Sequence, residues 1–289
     1  MQYGVVYEYW SHDWCCDYPA VARKVSGMDF DVLEIGAVHL FEMSDEQIDE
    51  LKQIAEECAL YYTVNSGPSK DCDLASRDPK IRANGVAFFK TLFRKMERLG
   101  SKDLAGAIYS FWPSDFQDLD KEGAWERSIS SLQELAVDAE TFGIDISLEV
   151  LNRNETYILT DCAEAVEYIR RVGSPHVKIL LDTYHMNIEE DDMCAAIRLA
   201  GENLGHFHIG ENNRKLPGMN RSLDWSAIGA ALWEIGYQKA VVMEPFLLSG
   251  GEVGKSVRVW RDLSNQASPE QMDKMLKDAL CFVKGEFEK

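Results

Sequence analysis

Four short apolar runs in the second half of the chain each end in a side chain that can bind a cation. They read Ile-Ser-Leu-Glu149, Lys-Ile-Leu-Leu-Asp182, Gly-His-Phe-His208 and Val-Val-Met-Glu244. Three carboxylates gathered in one place repel one another and raise at least one pKa unless a cation offsets their charge. Three oxygens and one imidazole suit one fairly hard divalent ion, manganese, magnesium or cobalt, better than a thiolate-seeking metal. Each residue also has a plainer explanation. Asp182 could cap a following helix, His208 could be a satisfied core residue, and Glu149 or Glu244 could pair with an arginine. Four successive run ends with ligand-type side chains make coincidence the poorer account.

Further polar groups follow three of these runs: Glu155 after Glu149, His185 after Asp182, and Arg214 after His208. They are expected in loops beyond the strand ends, where binding groups concentrate. Trp14, Trp112 and Phe246 are expected in other loops at the same rim, as aromatic walls for a sugar ring or chain. The acidic run Glu189-Glu190-Asp191-Asp192 reads as a solvated helix start rather than a second metal site.

The elements that must position these residues alternate along the chain. Candidate strands are Gly4–Tyr7, Val32–Gly36, Tyr62–Asn65, Leu104–Tyr109, Ile144–Glu149, Val177–Asp182, Leu204–Ile209 and Ala240–Glu244. Short apolar runs of this kind suit parallel strands buried on both faces. Between them lie stripes at helical spacing: Ile48, Leu51, Ile54, Ala55 and Cys58; Val86, Phe89, Phe93 and Met96; Trp125, Ile129, Leu132, Ala136 and Ala139; Trp225, Ile228, Leu232 and Ile235. Ser44 and Gln47 are placed for a capping box. Gly27, Gly100, Gly143, Gly173 and Gly236 stand where helices should stop, since the left-handed cap position favours glycine. About eight strand–helix units argue for an α/β fold with a parallel sheet. A doubly wound sheet usually shows a glycine-rich phosphate turn after its first strand, and here Tyr9-Trp10-Ser11-His12 follows instead. The expectation is a single (β/α)8 TIM barrel spanning residues 1–289 as one domain. Strand ends in such a barrel converge on one face, which would bring the four candidate ligands together.

Composition narrows the partners. Thirty Lys and Arg against 49 Asp and Glu leave a net charge of −19 over 289 residues. Such a surface repels phosphate backbones and anionic membranes, so neither nucleic acid nor membrane is an expected partner. No apolar run approaches the roughly 18 to 20 residues needed to cross a bilayer, and the first residues do not read as a secretion signal. Seven scattered cysteines without a Cys-x-x-Cys pair fit reduced thiols, hence a cytoplasmic setting.

With these residues in place, the chain resembles the ketose 3-epimerase family, which includes D-tagatose and D-psicose (D-allulose) 3-epimerases. The likeness runs along nearly the whole sequence. It is most specific in Glu149-Val-Leu-Asn-Arg153, Leu181-Asp-Thr-Tyr-His-Met-Asn-Ile-Glu-Glu-Asp191, Met243-Glu-Pro-Phe246 and Val259-Trp-Arg-Asp-Leu-Ser264. The resemblance implies that Glu149, Asp182, His208 and Glu244 hold one divalent metal, manganese first and cobalt or magnesium as alternatives. It implies that Glu155, His185 and Arg214 hold the first carbons of a small-molecule ketose, and that the protein is a homodimer or homotetramer. The sequence departs from the family pattern at Val6, Asn65-Ser66 and Asn154, and the loop from Lys215 to Trp225 is one residue longer. These differences are expected at the far end of the pocket, where they bear on the preferred sugar.

The implied reaction is inversion of a ketose at C3, such as D-fructose to D-psicose, through a cis-enediolate. Because that intermediate is planar, a base is needed on each face, and Glu149 and Glu244 are the pair. An aldose–ketose or hydroxypyruvate-type isomerase would share barrel, metal and intermediate while moving a proton between C1 and C2. An abasic-site DNA repair enzyme would want more histidine ligands and a basic face, and a non-catalytic sugar-binding barrel would exchange no proton at C3.

Overall fold

Eight strands, none longer than six residues, alternate inward and outward side chains with a period of two. They are β1 (Gln2–Val6), β2 (Val32–Gly36), β3 (Tyr61–Asn65), β4 (Asp103–Gly106), β5 (Asp145–Glu149), β6 (Val177–Asp182), β7 (Leu204–Ile209) and β8 (Ala240–Met243). All pair in parallel in chain order, and β8 closes on β1, so the computed structural model is an eight-stranded barrel. It describes residues 1–117 and 119–288. Outward apolar residues such as Leu33, Ile146 and Phe207 pack under the surrounding helices in the main core. Val6, Val32, Ala240 and Val242 form a smaller apolar cluster of their own.

The helical stripes find their helices. Asp45–Cys58 starts at the Ser44–Gln47 capping box. Pro79–Leu99, Lys121–Phe142 and Cys162–Val172 end on Gly100, Gly143 and Gly173 in the left-handed conformation. Gly27 is different. It closes helix Tyr18–Ser26 with φ −66°, in the right-handed region, and the left-handed turn falls on Asp29 instead. The helix Pro269–Phe287 drew no notice in the sequence. It has its own capping box, Ser268 with Gln271, and buries Leu276, Leu280, Val283 and Phe287.

Two glycines shape the strand ends. The fourth strand stops at Gly106, not Tyr109, because Gly106 takes φ +115° and lies so close to the Ser66 carbonyl that a Cβ would sit 2.4 Å from it. On β7, Gly205 absorbs a register shift against β6: Ile179 pairs with Leu204, but Leu180 pairs with His206. A Cβ at Gly205 would sit 2.3 Å from Ser147 Oγ. A one-residue offset exchanges the two faces of a strand. This bulge therefore sets the face on which His206 and His208 lie, and it brings His208 directly opposite Asp182.

Candidate metal centre and active site

Each strand from β5 to β8 delivers one polar side chain at or just past its carboxyl end. The donor atoms of Glu149, Asp182, His208 and Glu244 all lie within 4.8 Å of one another. Glu149, Asp182 and His208 are buried, and Glu244 is half-buried. His208 Nδ1 stands 3.5 Å from Glu244 Oε1 and 3.8 Å from Glu149 Oε1. It is buried with no hydrogen-bond partner. A ring nitrogen aimed into a cluster of carboxylates, with nothing to bond, fits a cation ligand. With three carboxylates around it, the donor set suits a hard divalent ion.

The electrostatics show what the cluster costs without such an ion. Burial, and then the neighbouring charge of Glu244, pushes the Glu149 carboxyl well above the usual range. Glu244 is also raised, again by burial first. The Arg214 guanidinium offsets part of the charge. Its Nη1 reaches Glu244 Oε2 at 2.6 Å and Asp182 Oδ2 at 3.1 Å. The other Asp182 oxygen accepts from Tyr184 N–H, so Asp182 also caps the helix Thr183–Glu189. The plainer explanation and the chemical one hold for the same residue.

Glu34, on β2, escaped the sequence reading. It is buried, with Oε1 2.9 Å from His208 Nε2 and Oε2 3.0 Å from His206 Nε2. Thr63 Oγ1 and Asn65 Nδ2 donate to the same carboxylate. Glu34, His206 and His208 also lie close enough to hold a cation. Here, however, the carboxylate is already shared among four partners, which makes it an orienting group behind a metal-binding histidine. Burial opposes its charge, but His208 and His206 hold it well below the usual carboxylate range. A lone glutamate inside the apolar run Val32–Gly36 was the available signal, since charges are rarely buried without purpose.

The other expected site residues line the same cavity of about 440 Å³. Glu155, in the loop after β5, accepts from Trp112 Nε1 at 2.9 Å and Asn152 Nδ2 at 3.0 Å. His185 stands in the first turn of a helix rather than in a loop, because the Asp182 cap starts that helix at once. Asn152 N–H donates to His185 Nδ1 at 3.1 Å, while the donor Arg214 Nη2 stands 3.4 Å from Nε2; the shorter contact puts the neutral ring's proton on Nε2, which lies 3.6 Å from Glu149 Oε1 and 3.7 Å from Asp182 Oδ2. Burial, and then Arg214, lowers its pKa to about 3, keeping the ring neutral at working pH. Arg214 has φ +64° and lies 3.8 Å over the Tyr184 ring, with Phe246 beyond. Trp14 and Trp112 meet edge to face at 6.1 Å.

Some expected placements do not hold. Val6, Asn65 and Ser66 line the cavity, but Asn154 is exposed and does not, and its N–H donates to Asn152 Oδ1. Nor does the loop from Lys215 to Trp225 line it. That loop is gathered around buried Glu211, which accepts from Gly218 N, Arg221 N, Ser222 N, Ser222 Oγ and Trp225 Nε1. In the acidic run, Asp192 caps the helix Met193–Ala200 as expected. Glu189 instead clamps Arg153, and Glu190 accepts from Cys162 N–H.

Known proteins carry the same architecture. Residues 22–263 match the xylose isomerase-like TIM barrel family. The chain is 46% identical, over 98% of its length and 96% of the relative's, to D-psicose 3-epimerase of Ruminiclostridium cellulolyticum. This chain belongs to the ketose 3-epimerase family. A second D-psicose 3-epimerase, from Agrobacterium fabrum, is 41% identical over 98% of both chains. The crystal structure of D-psicose 3-epimerase with D-tagatose from Clostridium cellulolyticum H10 superposes with a TM-score of 0.98 at 45% identity, covering 99% of each chain. Membership makes the chain an enzyme, a carbohydrate isomerase of the epimerase type.

Proposed function

We propose that this protein inverts free ketoses at C3, with D-fructose and D-psicose the first pair to test, using Glu149 and Glu244 as paired acid and base. The observation that carries the reading is the position of these two carboxyls. They come from the outermost strands of the β5–β8 arc, with Asp182 and His208 between them, and all four face one gap. The relatives named above are D-psicose 3-epimerases, which favours this substrate pair.

In the reaction, one glutamate takes the C3 proton from one face of the sugar and the other returns a proton to the opposite face. Their roles exchange in the reverse direction, so one proton leaves and one arrives with no net redox change. Burial favours the protonated form of both carboxyls, which equips whichever one must donate. A divalent cation held by Glu149, Asp182, His208 and Glu244 supplies Lewis acidity to the adjacent substrate oxygens. Manganese is the first ion to test, with cobalt and magnesium next. His185 offers its Nε2–H toward developing negative charge on the substrate. Arg214 adds a fixed positive charge beside it, and Glu155, held by Trp112 and Asn152, binds the hydroxyls at the C1 end.

The test is incubation of manganese-loaded protein with D-fructose in deuterated water. D-Psicose carrying deuterium at C3 supports the reading. An aldose product with the C3 configuration intact would show a 1,2-isomerase instead. The proposal extends to a homodimer or homotetramer, which light scattering measures. Among the described residues no helix is long and apolar enough to cross a membrane.

A further inference from the structure

One carboxyl that lines the cavity has no part in the chemistry above. Glu8 lies in the 3-10 turn Tyr7–Trp10 just beyond β1, and it faces the cavity with Val6, Trp14 and Val38. The four candidate ligands occupy the β5–β8 arc of the barrel mouth, so the β1–β4 arc is left for the rest of a bound sugar. On that second arc the wall is largely small or apolar, with Gly36, Ala37 and Ala107 among its residues.

The fold gives Glu8 no cationic partner. Among the described residues no lysine, arginine or histidine pairs with its carboxyl, and its polar neighbour is the Tyr7 hydroxyl. The cavity's guanidinium, Arg214, is engaged by Asp182 and Glu244. Glu34, the other acid on this arc, has its oxygens taken by Thr63, Asn65, His206 and His208. A half-buried carboxyl served only by a neighbouring hydroxyl and its own backbone N–H has acceptor capacity left for a ligand. The groups that a ketose brings to this arc are the hydroxyls of its far carbons.

We propose that Glu8 is a specificity-determining residue whose carboxyl hydrogen-bonds the terminal hydroxyl of a six-carbon ketose. The inference rests on the epimerase reading and deepens it by naming what selects the substrate's length. It also bears on phosphorylated sugars, because a terminal phosphate would meet a carboxyl on an arc lined, among the described residues, by no lysine or arginine.

The test pairs a substrate change with a residue change. Binding of D-fructose and 6-deoxy-D-fructose is measured by calorimetry on manganese-loaded wild type, Glu8→Ala and Glu8→Met, alongside kcat and KM. Leaving a buried hydrogen-bond partner unpaired corresponds to roughly a 5- to 100-fold preference. Wild type should prefer D-fructose by about tenfold or more, and both variants should reduce that preference below about threefold by weakening D-fructose binding, with kcat little changed. Glu8→Met keeps the side-chain volume and serves if Glu8→Ala does not fold. Equal losses for both sugars, or an undiminished preference, overturn the proposal. The binding arm judges Glu8 even if no C3 inversion occurs, a result that would overturn the epimerase reading separately.

Discussion

Glu34 Oε1 lies 2.9 Å from His208 Nε2, while the opposite nitrogen of the same ring faces Glu149 and Glu244. The carboxylate thus decides which nitrogen of His208 is free for a cation and keeps that ring basic. Glu34→Gln should weaken divalent-metal affinity by about 10- to 100-fold, the usual loss when such an orienting group is removed. Titration of metal-free protein with manganese measures it. Unchanged affinity would mean that His208 is oriented by packing alone.

Glu149→Gln and Glu244→Gln each keep an oxygen near the gap but cannot exchange a proton. Each should lower turnover by at least 10²- to 10⁴-fold, the range for a lost acid or base, while metal binding falls far less. His208→Ala should show the reverse order, losing metal first. Steady-state rates set against metal content separate the two classes. Near-normal epimerisation by either Gln variant would end the two-base assignment.

Metal removal should make stability depend on pH in a definite direction. Burial, helped by the Asp182 and Glu34 charges, raises Glu244 from 4.5 to about 7 in the metal-free fold. A carboxyl raised in the folded state contributes stability that is full below its unfolded pKa and is lost as pH rises through its folded one. The metal-free protein should therefore lose stability between about pH 4.5 and 7, on the order of 3 kcal/mol from this group. Metal affinity should rise across the same window, because cation and proton compete for the same oxygens. Thermal melts with EDTA or manganese at pH 5.5 and 8 test both. A manganese-induced gain no larger at pH 8 than at pH 5.5 would contradict the account.

Glu211 holds the segment that carries Arg214. Its side chain accepts five bonds, and its carbonyl accepts from Arg214 N–H. Glu211→Ala should cost roughly 2 to 4 kcal/mol of stability, since buried donors are left without their charged acceptor. It should also raise KM, through a displaced Arg214, more than it lowers metal affinity. Urea denaturation and substrate titration measure the two effects. A stable variant with normal KM would show that the loop holds itself.

Several features are legible in the sequence because they depend on local pattern. Strand and helix periodicity, the Ser44–Gln47 box and the alternation of elements pointed to the barrel, and a barrel sends its strand ends to one face. The proximity of Glu149, Asp182, His208 and Glu244 followed from that. Glu34, Glu211 and Glu8 did not stand out among 49 acidic residues. A glutamate reads the same whether it faces water, an imidazole or a cluster of amides. Where sequence reasoning ran past the structure, as at Tyr109 and Gly27, backbone angles set by a distant neighbour or a later residue were responsible.

The sequence alone determined the architecture, the strand-end donor set and the family, because each resides in residue types at fixed spacing. Tertiary structure decided which ring nitrogen of His208 faces the gap, which tautomer His185 adopts, and which acids lie behind or across from the centre. These depend on segments far apart in the chain approaching to within about a hydrogen bond's length. Even the face of β7 that carries His208 depends on a bulge at Gly205, where Ser147 and Lys178, from other strands, leave no room for a side chain.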